Sequence, residues 1–293
     1  MPASGTCNLD HIGYFVADME AAAAALERLG FSLSPFTRQY NRSAPDTPPA
    51  PAGTGNRLIV LEEGYIEVLA PTGEDTPVAR QLHAALEKYP GLHLIAFGSG
   101  DADGHHAHLE SAGFAPQPVV DLRRTVDGPE GMPAQVRFRV VRVSPGAMPE
   151  GRVQFCQHMT PGQVWRSDWM AHPNGATALD GVVVCEENPS EAAGRFARFT
   201  GIAASPLADD WRLRTGRGVV DLLDIAAFRA AFAGLGVPAL PCIAALRLRC
   251  RSLPATTRCL EARGVRCFGT RAGLVVPPAE ALGATLLFSE SAP

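Results

Sequence analysis

The chain has 293 residues, of which 46% are hydrophobic and 19% charged, so it is expected to be globular, with a sizeable core and room for two ordinary domains. A formal net charge of −4 excludes a broad basic footprint for nucleic acid, and no apolar run approaches the ~18 residues of a membrane span. The start lacks a charged-then-apolar leader, and seven scattered cysteines without Cys-x-x-Cys spacing favour reduced thiols, so a cytoplasmic protein is expected.

Leu9-Asp10-His11-Ile12-Gly13-Tyr14-Phe15 reads as a buried strand with one histidine near its start. Asp18 is a good N-cap, and Met19, Ala22, Ala23, Leu26 and Leu29 fall at helical spacing before Gly30, which suits the left-handed position past a helix end. Phe31 to Tyr40 reads as a second strand. A loop rich in Pro, Gly and Ser spans about 41–55, and residues 56–61 and 65–70 form a hairpin around Glu63-Gly64. The order is βαβββ.

The same order recurs from Gly91. Gly91-Leu92-His93-Leu94-Ile95-Ala96-Phe97 is a strand, and a helix over about 103–112 ends Leu109-Glu110-Ser111-Ala112-Gly113-Phe114, matching Leu26-Glu27-Arg28-Leu29-Gly30-Phe31. Strands follow near 117–126, 135–143 and 152–158. Hung on that signature, His11 and His93 take equivalent places, and Glu67 of Tyr65-Ile66-Glu67-Val68-Leu69 lies over Gln154 of Arg152-Val153-Gln154-Phe155-Cys156.

The sequence thus predicts an α+β chain. Residues 1–164 form one domain of two βαβββ modules (8–71 and 91–160) in curved mixed sheets, 165–175 form a linker, and 176–293 hold a divergent second pair with a structural role. The helix-Gly-apolar signature returns at Gly201 and Gly264, but the histidines are gone, and Asp221 alone stands where Glu67 would be. Trp165, Trp169 and His172 of the linker are expected to join the halves.

A lone polar group on an apolar strand face costs roughly 1–3 kcal/mol if buried without a partner. Four such groups at equivalent places are most simply explained if they point at one another or at a shared ion. His11, His93 and Glu67 offer two imidazoles and a carboxylate, matching a divalent Zn, Fe, Ni, Mn or Co, and Gln154 adds a neutral oxygen. Glu67, or a hydroxide held by the ion, is the candidate catalytic base. Candidate substrate contacts are Asn56 and Arg57 before the hairpin, Arg137 and Arg139 as bidentate anion holders, and His158 as a proton carrier at the cavity mouth.

These residues resemble the vicinal oxygen chelate superfamily, which includes glyoxalase I, extradiol dioxygenases and the bleomycin-resistance proteins. The resemblance rests on Leu9-Asp10-His11-Ile12, on Gly53-Thr54-Gly55-Asn56-Arg57 leading to Gly64-Tyr65-Ile66-Glu67, on Gly91-Leu92-His93-Leu94, and on Pro149-Glu150-Gly151-Arg152-Val153-Gln154-Phe155. It implies paired modules curved around a metal whose ligand positions fall on His11, Glu67, His93 and Gln154. It also implies a metal-dependent, glyoxalase-like enzyme that binds a small-molecule substrate through vicinal oxygens, with lyase or isomerase chemistry through an enolate or oxyanion. Gln154 departs from glyoxalase I, which is acidic at both fourth-strand positions. An Fe(II) extradiol-type dioxygenase is the alternative within the superfamily. Outside it stand a non-catalytic metabolite- or antibiotic-binding protein and a scaffold for a homodimer through the second half.

Overall fold

A computed structural model describes residues 7–41, 48–127 and 132–291. The first module comprises β1 (Asn8–Phe15), α1 (Met19–Arg28), β2 (Thr37–Asn41), β3 (Ala50–Val60) and β4 (Tyr65–Pro71). A helix unassigned from the sequence, α2 (Pro77–Lys88), leads to β5 (Gly91–Gly98), α3 (Ala102–Ser111), β6 (Val120–Asp127), β7 (Pro133–Arg142) and β8 (Arg152–His158). The third module is β9 (Ala176–Cys185), α4 (Pro189–Thr200), β10 (Ala204–Leu207), β11 (Asp210–Arg214) and β12 (Val219–Leu223). After α5 (Ile225–Ala231) come β13 (Cys242–Cys250), α6 (Leu253–Ala262), β14 (Phe268–Thr270), β15 (Gly273–Val276) and β16 (Thr285–Ser289). The fold is α+β, and βαβββ occurs four times.

Local chemistry sets these elements. Asp18 accepts from the backbone N–H groups of Glu20 and Ala21 at 2.9 and 3.0 Å, which starts α1, and Gly30 at φ +79° lets the chain turn out of it. Thr76 caps α2 by accepting from Ala79 N at 3.1 Å, with Pro77 in the first helical turn. The strand expected from Phe31 forms only from Thr37, after Pro35, which has no N–H for a ladder. The loop expected over 41–55 falls partly on 42–47, outside the described residues; from Ala50 the chain is already β3.

Each fourth strand lies parallel to the first strand of its module. Gly13 pairs with Glu67, Ala96 with Gln154, Val183 with Asp221 and Arg247 with Leu287. First strands pair antiparallel within each half, β1 with β5 and β9 with β13, and the pair Ile243–Leu92 joins β13 to β5. One open, curved sheet therefore runs through all four modules. Helices α1, α3, α4 and α6 cover one face, where Leu26, Leu29, Phe196 and Phe199 meet Leu9, Ile12, Ile95, Phe97 and Phe155 in the main core, whereas α2 and α5 pack on the other face through Leu82 and Phe228. In the first half the opposite face is partly hollow.

Glu150, just before β8, meets Glu186 and Arg195 of the third module in a buried cluster. Arg195 bonds both Glu150 and Glu191 and lies 3.6 Å from Glu186. Burial, and then the adjacent Glu150, push the Glu186 carboxyl up to about 8. An acid whose folded pKa is raised contributes its stability below the unfolded value of about 4.3 and loses it as pH climbs to the folded value. The Tm of the native chain is therefore expected to fall more steeply between about pH 5 and about pH 8 than that of Glu186→Gln. Parallel Tm–pH curves for the two proteins would refute this linkage.

Candidate functional site

Where β1 meets β5, Gly13 lacks a side chain for good reason: a Cβ there would lie 2.8 Å from Leu94 Cβ. The ladder between these strands slips twice. Pairing passes from Leu9–Phe97 to His11–Ala96, skipping Asp10, and from Gly13–Leu94 to Tyr14–Leu92, skipping His93. An unpaired extra residue re-aims the side chains around it.

At the first slip, Asp10 and His11 come to share one side. Asp10 Oδ2 accepts from His11 Nδ1 at 2.7 Å and from His158 Nε2 at 2.9 Å, and Cys156 Sγ lies 3.9 Å from His158 Nε2. One ligand atom from each of Asp10, His11, Cys156 and His158 lies within 4.8 Å of the others. His11 stacks on Tyr65 at 4.3 Å, and Trp165 packs edge-on to Tyr65 and His158. Burial alone would raise the Asp10 carboxyl, but the His158 charge and hydrogen bonds from both imidazoles hold it well below the usual range. Burial opposes a charge on His158 as well, yet the adjacent Asp10 carries it well above an ordinary histidine. Burial pushes the Cys156 thiol up.

His11, Tyr65 and Cys156 open onto a cavity with about 990 Å³ of empty space including its mouth. Its polar lining includes Gln39, Asn56, Glu67 and Gln154, and three arginines, Arg124, Arg142 and Arg152. Asn56 Nδ2 donates to Glu67 Oε1 at 2.6 Å, and Gln39 Nε2 reaches the same oxygen at 3.4 Å. Arg142 Nε donates to Gln154 Oε1 at 3.0 Å. Trp169 also lines the cavity, so part of the linker covers the site, whereas His172 ties the linker to Val60 O and Ser32 N.

Of the residues expected to share an ion, His11, Glu67 and Gln154 line this one cavity, and His93 does not. His93 hydrogen-bonds Tyr89 O at 2.8 Å, stacks on the Tyr89 ring at 4.1 Å, and lines a second hollow. The counting explains the difference. His11 lies 19 residues before Gly30, but His93 lies 20 before Gly113, so the residue that repeats His11 is Leu94. A one-residue offset on a strand exchanges its faces.

Parity also separates the expected substrate contacts. The cavity receives Asn56 and Leu58, while Arg57 points away to Glu20 Oε1 at 3.2 Å and Ser34 O. On β7 the cavity receives Val136, Phe138, Val140 and Arg142. Arg139 instead forms a fork on Asp103 at 2.7 and 2.8 Å outside the cavity, and Arg137 is not among the lining residues. His158 lies beside the cavity in the Asp10 cluster. Asp10 was missed from the sequence, although a carboxylate inside an apolar strand run was itself a signal.

The donor set suits an ion. Two imidazoles, a carboxylate and a thiol match a borderline divalent metal of the zinc or iron kind, and no other cluster of this kind occurs among the described residues. In the second half, Asp221 is clamped by Arg212 at 2.5 and 2.8 Å and by Arg247 at 2.8 Å, so it is not available as a ligand there. Among the described residues, no helix is long and apolar enough to cross a membrane.

A family model described as a glyoxalase-like domain matches residues 9–200, well over half of the chain. Among solved structures, the fold is similar to that of a hypothetical protein from Staphylococcus aureus, with TM-score 0.67 and 12% identity over 97% of this chain and 99% of that one. It is also similar to a triple mutant of 4-hydroxymandelate synthase from Streptomyces coelicolor, with TM-score 0.54 and 18% identity over 100% of this chain and 94% of that one. A xylose isomerase-like TIM barrel/4-hydroxyphenylpyruvate dioxygenase fusion protein gives TM-score 0.54 and 16% identity, covering 91% of this chain and 40% of that one. At these identities the likeness speaks for the fold. No protein of curated function matches the chain.

Proposed function

The chain belongs to the glyoxalase-like domain family, and from that premise we propose that it is a metal-dependent enzyme acting on a small substrate in the Glu67 cavity. The observation that carries this reading is the Asp10–His11–Cys156–His158 cluster, whose donor atoms converge within 4.8 Å at the cavity wall. Relative to the set expected from the sequence, His11 stays, while His158, Cys156 and Asp10 replace His93, Glu67 and Gln154 as holders. An ion bound there would supply Lewis-acid stabilisation of negative charge on a substrate oxygen.

The other roles belong to the protein. Glu67 is the base that moves a proton. Asn56 and Gln39 hold its Oε1, and Oε2 accepts no hydrogen bond among the described residues. Gln154, oriented by Arg142, offers its amide to the substrate. Tyr65, Trp165 and Trp169 limit access of water to the imidazoles. A proton shift beside a carbonyl, of lyase or isomerase type, is the reaction this arrangement favours. An iron-dependent oxygenase would use His11, His158 and Asp10 as a two-histidine, one-carboxylate set, so the element bound separates the two reactions.

Elemental analysis of the purified full chain and three variants tests this. Native protein and His93→Ala are expected to carry about one divalent ion per chain. His11→Ala and His158→Ala are expected to lose it while keeping native circular dichroism. Loss in His93→Ala alone, or no divalent ion bound at micromolar concentration by the native chain, would overturn the metal reading. The latter would favour a binding protein in which Asp10 simply links two histidines.

A further inference from the structure

Three guanidiniums face the Glu67 cavity, against one lining carboxylate. Arg124 NH1 donates to Tyr40 O at 2.7 Å, Arg142 Nε to Gln154, and Arg152 NH2 lies 3.5 Å from Gln81 Oε1 with its guanidinium over the Phe15 ring. Every one of these partners is neutral. The contrast with the rest of the molecule is sharp: Arg139, Arg212, Arg247 and Arg249 each sit on an aspartate or glutamate. No such pair is formed by Arg124, Arg142 or Arg152 among the described residues. Burial, with some relief from Glu67, pulls Arg124 and Arg152 down to about 10, and Arg142 presses on both.

Holding several like charges together out of water is costly unless an opposite charge joins them. Glu67 cannot serve all three, because Asn56 and Gln39 already engage one of its oxygens. Much of the remaining wall is apolar, with Leu58, Leu69, Leu122, Val136, Phe138 and Val140. A guanidinium fork matches a planar carboxylate through two parallel N–H···O bonds, and an apolar wall suits a hydrocarbon body.

We infer that Arg124, Arg142 and Arg152 form an anion seat, and that the cavity takes a carboxylic acid with an apolar, ring-sized body. This rests on the reading of the cavity as the substrate site but not on the ion. The acid's carboxylate lies against the arginines, and its body runs toward Phe138 and Leu122. Arg142 is the central member, since it borders both Arg124 and Arg152 electrostatically and holds Gln154. It is a binding residue, so its loss is read in affinity.

The test uses the full chain, as purified and after chelation, with phenylacetate, its neutral isostere phenylacetamide, and inorganic phosphate as probes. Titration calorimetry and thermal shift are expected to show phenylacetate binding at millimolar concentration or below, in both preparations, with phenylacetamide and phosphate at least about tenfold weaker. Arg142→Gln and Arg124→Gln are expected to weaken phenylacetate by about tenfold or more, and Arg139→Gln, outside the cavity, to leave it unchanged. An unliganded Tm close to native for either cavity variant shows that binding, and not folding, was lost. Equal binding of acid and amide, preferential binding of phosphate, or no binding of any probe would overturn the seat. Phenylacetate binding by a chain that takes up no divalent ion even when one is supplied at micromolar concentration would sink the metal reading and leave the seat standing; an ion bound at His11 without phenylacetate binding would do the reverse.

Discussion

Replacing Asp221 with alanine is expected to cost about 3–5 kcal/mol of folding stability, seen as a lower urea midpoint at unchanged slope. Asp221 is fully buried and stands third in β12, where Glu67 stands third in β4. Both are aligned with their first strands in the same parallel register. Asp221 is gripped by two mostly buried guanidiniums, Arg212 and Arg247, which its removal leaves without a counter-charge. Glu67 takes its hydrogen bonds from neutral amides in an open cavity, and Glu67→Ala is expected to cost about 1 kcal/mol or less. The same site on the same fold thus serves as a structural clamp in one half and an available carboxylate in the other. Equal costs for the two substitutions would erase that distinction.

Phe199→Ala is expected to cost a similar amount, about 3–5 kcal/mol, by chemical denaturation. The Phe199 ring is fully buried and stacks on Phe155 at 5.0 Å with an interplanar angle of 10°. It also meets Phe97 at 6.2 Å and Phe114 edge-on at 5.4 Å. Through it, helix α4 of the third module packs on the side of β5 and β8 away from the cavity. Phe155 sits between Gln154 and Cys156, whose side chains face the cavity, so the hole left by the ring lies directly behind the site. A measured cost below about 1 kcal/mol would mean that neighbouring rings refill the space.

Much of this was legible in the sequence. Strand runs around His11 and His93, helix ends at Gly30, Gly113, Gly201 and Gly264, and the Glu67–Gln154 correspondence all followed from periodicity and the repeated signature. What escaped were single-residue offsets. Period-two reasoning assumes an unbroken ladder, and the β1–β5 ladder slips at Asp10 and at His93. Asp10 therefore joins His11 instead of pointing away, and His93 lines the hollow beside Tyr89. Arg137 and Arg139 were placed on the cavity side for lack of a register; the observed pairing of Phe138 with His158 assigns that side to Phe138, Val140 and Arg142. Helix α2 carried a legible start in Thr76-Pro77 but fell between the two repeats, where the duplication gave no guide.

Leu94, standing where the duplication would repeat His11, has a consequence for how a guest is oriented. Two identical modules would enclose a space with a two-fold axis, indifferent to which face of a planar guest was presented. Here the imidazole of His11 comes from one module with only an isobutyl group as its counterpart, and Glu67 is answered by an uncharged amide. That rotational equivalence is gone, so a guest turned by half a revolution about the axis between the modules meets unlike groups, and it fits in one sense only.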